Sequence, residues 1–330
     1  MAHNIRTYLL TVCLLLAPWV HAQTLSNEAF VSLMTCTPGD ALYERYGHTA
    51  LRVCDPAQQI DISFNYGLFD FSVDHFYWKF VKGETWYELG VCKTKWFLFD
   101  YDAAHRQVYE QVLALNAAQR EAIYNALQEN YLPENRYYLY NFVFDNCATR
   151  PYLLIRRALG DSLQSDYAGY TGETYRSFIR HYTGRWTWAN AGINLLFGPK
   201  ADRIMSSEQR LFLPEEVMLF VQQASMPDGT PLVRESRIGA FPALTTPWYA
   251  SWPLGLILYF VAMCLLSLYD RRRGRLSWWA DVAVAVPYVL LLIIVTFLTF
   301  FSCHPLVGFG WRLLIIPLTH LCARSIYIVR

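Results

Sequence analysis

The sequence predicts an α+β domain, exported from the cell interior and fixed to a membrane by apolar helices. Three observations predict it: a short apolar leader, a middle region where alternating runs give way to helical patterns, and long apolar stretches after residue 250. Of the 330 residues, 54% are hydrophobic and 17% charged, against roughly 45–50% and 25% in a soluble domain. With 28 Lys and Arg against 27 Asp and Glu, charge gives no argument for a nucleic-acid partner. An aromatic share of 16% excludes a disordered chain or a collagen-like fibre.

Residues 1–22 read as a signal peptide. His3 and Arg6 supply a weakly positive start, residues 8–17 an apolar core, and Ala22 a small residue before Gln23. That core is too short to cross a hydrocarbon layer of about 30 Å. At the other end, residues 254–269 and 280–301 are apolar, apart from Asp281 at an edge. Arg271, Arg272, Arg273 and Arg275 lie in the loop between them, and the positive-inside rule puts that loop in the cytoplasm. Residues 23–250 are then outside, in agreement with the leader. A third apolar stretch, 311–322, contains Pro317 and is followed by Arg324. Membrane helices are expected over about 252–269, 279–301 and 311–328 of a 251–330 segment, with Trp248, Trp252, Trp278 and Trp279 at headgroup level.

Within 23–250, residues 30–36, 48–54 and 60–66 read as strands, with turn signals at Pro38-Gly39-Asp40 and Gly47. Residues 86–91 and 96–100 are further strand candidates. Helices are expected at 103–115 and, capped by Asn116, at 117–131, where Pro133 stops the second. Shorter helices follow at 151–159, 175–182, 192–197 and 214–223. The order is strands first and helices after.

Of the eight cysteines, Cys36, Cys54, Cys92 and Cys147 fall in the exported part, where an even number suggests two disulfides. Neither a CxxC nor an HExxH spacing occurs, so no metal site is expected. GxSxG and Walker-type loops are absent as well.

Cys147 stands out in the run YNFVFDNCATRP (140–151). Asp145 and Asn146 are capping residues, and the cysteine opens a helical segment. The positive end of the peptide dipoles, with Arg150 nearby, would lower the thiol pKa and favour thiolate. Pro151 disfavours helical geometry at Arg150, which moves the start of the regular helix to about Thr149. His48, first residue of a strand after Gly47, is the natural partner, because a Cys–His pair activates sulfur for acyl transfer. Asn65 or Asp70, both in FNYGLFDF (64–71), could orient the ring. Asn146, Arg52 and Arg150 are candidates for oxyanion or phosphate contacts; the two arginines could equally form ion pairs, with Asp70 or Asp145 among the acids. Phe197, Leu211, Phe212, Leu213, Phe220, Trp186 and Trp188 are candidates for an acyl groove.

The runs TCTPGDALYERYGHTALRV (35–53), FNYGLFDF, YNFVFDNCATRP, GINLLFGPKADR (192–203) and FLPEE (212–216) resemble the Lnb N-terminal periplasmic domain family, whose members look like lipoprotein N-acyltransferases. The likeness covers most of 25–250 and continues into the membrane helices, of which related proteins carry more than the three read here. The order His before Cys is also similar to circularly permuted papain-like folds of the NlpC/P60 and lecithin:retinol acyltransferase kind. The resemblance implies a permuted papain-like (NlpC/P60-like) periplasmic domain with Cys147 as nucleophile and His48 as base. It implies an inner-membrane location, a phospholipid acyl donor, a diacylglyceryl-cysteine lipoprotein as acceptor, and no cofactor. Two other functions fit parts of the sequence: a cysteine peptidase or amidase acting on cell-wall peptides, and a non-catalytic, membrane-anchored assembly factor in which Cys147 is disulfide-bonded.

Overall fold

The computed structural model describes residues 24–69, 72–160, 163–167, 172–242, 246–275 and 277–310. The signal peptide, Asp70 and the third apolar stretch lie outside the described residues. Nine strands occur among the described residues: β1 (Phe30–Cys36), β2 (His48–Asp55), β3 (Ile60–Leu68), β4 (Trp86–Lys93), β5 (Val108–Leu113), β6 (Tyr137–Leu139), β7 (Gln164–Ser165), β8 (Ala224–Ser225) and β9 (Val233–Arg237). Seven of them form one sheet, ordered β6-β4-β3-β2-β1-β5-β9, and each neighbouring pair is antiparallel.

The helices are α1 (Phe76–Lys82), α2 (Thr94–Ala103), α3 (Ala117–Tyr131), α4 (Thr149–Leu159), α5 (Tyr175–Thr183), α6 (Trp188–Leu196), α7 (Pro214–Gln222), α8 (Trp252–Arg273) and α9 (Trp278–Phe301). The strand period of two sorts residues between the sheet's faces. Val31, Leu33, Leu51, Val53 and Phe64 meet Ile123, Leu127, Ile155 and Val217 of α3, α4 and α7 in the main core. On the opposite face Met34, Cys36 and Ala50 meet Phe97 of α2. A second core gathers Val143, Phe178, Ile179, Phe212 and Leu306.

Two sequence assignments are overturned. Residues 96–100 belong to helix α2 rather than a strand: Thr94 and Phe97 face the sheet, while Trp96, Leu98 and Phe99 are exposed. Residues 103–115 hold a strand, not a helix. The chain turns through His105, at φ 54°, and VYEQVL then lies along β1 as β5. Nor do helices simply follow strands, because β9 returns after α7 to the edge beside β5. Other features agree with the sequence reading. Asn116 caps α3 by accepting from Gln119 N at 2.9 Å, which satisfies one of the helix's free donors.

Helices α8 and α9, with 22 and 24 residues, are apolar enough to cross a membrane. At 1.5 Å per residue they reach about 33 and 36 Å, more than the roughly 30 Å required. Asp270 and Ser277 bind across the arginine-rich turn that joins them, with Ser277 N donating to Asp270 Oδ2 at 2.9 Å. At their far ends the helices dock on the exported part. Cys303 N donates to Lys82 O at 2.8 Å and Gly198 N to Leu306 O at 2.9 Å. Trp252 Nε1 donates to Arg185 O at 3.2 Å.

Candidate active site

His48 is the first residue of β2, opposite Cys36 in the register. Its position depends on Gly47, at φ 76°, where a Cβ would lie 2.6 Å from Cys36 O. Only glycine accommodates both that backbone angle and that approach. Asn65 lies on β3, on the same face of the sheet. His48 Nε2 is 2.5 Å from Asn65 Oδ1. A carboxamide oxygen only accepts, so Nε2 carries the ring proton and Nδ1 is the basic nitrogen. Of the two proposed orienting residues, Asn65 lies beside the ring, and Asp70 is outside the described residues.

Cys147 enters from the other side of the chain. The segment from Asn141 to Asp145 closes on itself through paired backbone bonds of 2.9 and 3.0 Å, and Phe142 packs on Tyr46 at 4.7 Å. This contact joins the loop before His48 to the loop before Cys147. Asn146 then holds the turn into α4. Its Oδ1 accepts from Ala148 N and Thr149 N at 2.8 and 2.9 Å, and its Nδ2 donates to Phe142 O and Phe212 O. α4 starts at Thr149, so Cys147 precedes the helix, as Pro151 implies.

The two reactive side chains meet at Gly67. This residue sits at an irregularity of β3 with φ 101°, and a Cβ built on it would be 3.6 Å from both Cys147 Cβ and His48 Cε1. Those two atoms are therefore no further apart than twice that distance. The Thr49 backbone N–H, next to His48, favours charge on the sulfur.

Electrostatics reverse one sequence expectation. The Cys147 thiol is pushed up to about 11, not lowered; burial among neighbouring side chains outweighs the N–H groups of Thr49 and Cys147 that favour thiolate. Cys147 and Tyr140 both pack against the main core, which includes Tyr87 and Tyr138. Arg150, expected to help ionise it, is bound to Asp145 at 2.6 and 2.7 Å and covers the Tyr138 ring at 3.6 Å. Burial likewise lowers His48 to about 4, against the opposing hydrogen bond it donates to Asn65 and aided by the charge of Arg106. At neutral pH the pair is a thiol and a neutral imidazole.

Other sequence candidates are engaged elsewhere. Arg52 binds Asp61 at 2.7 Å and Glu110 at 3.0 Å, four residues along β2 from His48. The side-chain atoms of Asn146 are consumed by the turn. Leu211, Phe212 and Leu213 are at most 2% exposed and fill the two cores, and Phe220 packs on Tyr152; these are core residues rather than an acyl groove. Trp186 and Trp188 are exposed, and Trp188 meets Gly255 at the start of α8. The expected disulfides are not formed: Cys36, Cys54, Cys92 and Cys147 are all free. Sequence reasoning missed the tyrosines around the sulfur, Gly67 and Arg106, since long-range packing alone brings them there. Among the described residues no cluster of ligating side chains could hold a metal ion.

A membrane-tethered α+β domain with a Cys–His pair and an asparagine on the histidine defines the class. The Lnb N-terminal periplasmic domain model matches residues 16–183 and the Lnb transmembrane domain model residues 243–330. The chain belongs to the Lnb family, as its sequence motifs suggested, and is a membrane protein with an N-terminal periplasmic domain. No curated protein matches the chain, and no solved structure does.

Proposed function

We propose that this protein is an inner-membrane lipoprotein N-acyltransferase that works through a Cys147 thioester, on a permuted papain-like arrangement of His48 and Cys147. One observation carries the reading: an unbridged thiol and the Asn65-bound His48 flank the open face of Gly67 in a domain docked on membrane helices.

Because both groups are neutral at rest, attack and proton transfer occur together. Cys147 Sγ bonds to the ester carbonyl carbon of a phospholipid while its proton passes to His48 Nδ1. The carbon–oxygen ester bond then breaks, and His48 returns the proton to the departing alkoxide, leaving lysophospholipid and an acyl thioester. In the second half, the free α-amine of a diacylglyceryl-cysteine lipoprotein attacks the thioester. A carbon–nitrogen bond forms, the carbon–sulfur bond breaks, and an amine proton is delivered through His48 to the sulfur. Asn65 keeps Nδ1 turned to the reaction throughout by holding Nε2–H. The tyrosines around Cys147 exclude water, which favours amine over hydroxide as acceptor.

The test is intact-mass analysis of the purified protein after incubation with phospholipid. A single acyl mass is expected on Cys147, discharged by a synthetic diacylglyceryl-cysteine peptide. Cys147→Ala protein that still N-acylates the peptide would overturn the reading. Free fatty acid as the only product would favour a hydrolase instead.

A further inference from the structure

We propose that α1 lies in the outer interface of the bilayer and is the face by which the lipid acyl chain reaches Cys147. The inference deepens the acyl-transfer reading and rests on it for the chemistry, while the position of α1 stands on separate geometry.

That geometry starts from α9. The arginine-rich turn fixes the cytoplasmic end of the α8–α9 hairpin, so Phe301 marks the outer end. Phe297 lies one turn further in, about 6 Å below it. The ring of Trp78 is 5.1 Å from that of Phe297, so α1 sits at the depth where hydrocarbon meets headgroups. Two further bonds hold it there: Cys303 N to Lys82 O at 2.8 Å, and His304 Nε2 to Phe80 O at 3.1 Å. The outward face of α1 is apolar and is exposed among the described residues. Tyr77 is 75% exposed, Trp78 56% and Val81 41%. Water gives no stable home to such a face, whereas the interfacial layer favours amphipathic rings. Its occupant is the lipid into which α9 is already inserted, because the two surfaces are continuous.

The inner side of α1 leads to the sulfur. Phe76, 6% exposed, stacks on Phe69 at 5.8 Å. Phe69 meets Tyr87 at 5.0 Å, and Tyr87 stacks on Tyr140 at 4.1 Å. Phe69, Tyr140 and Cys147 all pack against the core cluster to which Tyr87 belongs. An apolar chain leaving the bilayer beside α1 thus meets aromatic side chains all the way to the thiol.

The full-length protein, reconstituted in phosphatidylethanolamine–phosphatidylglycerol vesicles, allows a two-arm experiment. In the first, Tyr77→benzoylphenylalanine is irradiated beside Asn125→benzoylphenylalanine on the exposed side of α3. A lipid adduct at 77, about tenfold above that at 125, is expected if position 77 sits among lipids; equal adducts would overturn the placement. In the second, a Tyr77→Glu/Val81→Glu variant is expected to slow Cys147 acylation by vesicle phospholipid about tenfold, since charge is costly in that layer. A water-soluble short-chain thioester should acylate it at the rate of unaltered protein, which shows that fold and dyad survive. Unchanged phospholipid acylation would overturn the entry role. If unaltered protein accepts acyl groups from neither donor, the acyl-transfer reading fails while the crosslinking arm still decides where α1 lies.

Discussion

The two ends of β2 carry residues on the same face of the sheet yet have opposite electrostatic characters. At one end Arg52 is saturated: Asp61 and Glu110 bind its guanidinium, and Ser32 adds a hydroxyl to Glu110 at 2.6 Å. At the other end His48 has a single strong partner, Asn65, and faces a neutral thiol across Gly67. A guanidinium whose three nitrogens all donate to carboxylates has little capacity left for a substrate. A neutral ring with one nitrogen held and the other basic retains that capacity. The comparison fits a structural role at the Arg52 end and the proposed chemistry at the His48 end.

Breaking the chemical end should have the largest effects. Cys147→Ala should abolish acyl capture, a loss of more than about a thousandfold in an acyl-transfer assay, because no other nucleophile replaces sulfur. His48→Ala should lower the rate of Cys147 acylation about a hundred- to ten-thousandfold, the ordinary worth of a general base. Gly67→Val should come next, with a severe loss of acylation. Its side chain would grow into the space between the sulfur and the ring, at a φ of 101° that branched residues avoid.

The pH profile sharpens the comparison. His48, held near 4, is in its base form throughout the neutral range and loses it only as pH falls through about 4; Cys147, pushed to about 11, stays protonated until pH approaches that value. Acylation of Cys147 by phospholipid should therefore stay flat between about pH 5 and 9, while iodoacetamide labelling of Cys147 climbs steadily toward alkaline pH. A labelling plateau already reached at pH 6 would instead mean a thiolate–imidazolium pair. Asn65→Ala should cut the rate about tenfold and disturb this profile, since the ring then loses its preferred tautomer.

The smallest catalytic effect belongs to the other end of the strand. Arg52→Met should cost about 1–3 kcal/mol of stability by leaving Glu110 and Asp61 unanswered, read as a lower midpoint in urea. Acyl transfer by the folded fraction should be unchanged.

Much of this site was legible in the sequence, for local reasons. Gly47 before an alternating run marks a turn into a strand, and that is where His48 sits. Asp145-Asn146 before Cys147 marks a cap, although Pro151 correctly delays the helix. What stayed hidden depends on residues distant in the chain. Nothing adjacent to Cys147 announces Tyr87, whose packing helps keep the thiol protonated. The run at 96–100 reads as a strand because its apolar residues are consecutive, yet only Phe97 of that run is buried beneath the sheet. The β5 sequence reads as helix because Glu110 and Gln111 dilute its alternation. Its pairing with β1 and β9 decides the matter. The sequence patterns assign no element to residues 76–82, which form α1 and meet α9 through Trp78 and Phe297.

The resting protonation of the thiol has a consequence for survival outside the cytoplasm. Disulfide exchange and peroxide oxidation both begin from the anion of sulfur, and little of it exists here at neutral pH. Periplasmic oxidants therefore find a poor target in Cys147, which keeps the sulfur available for whatever chemistry the pair performs.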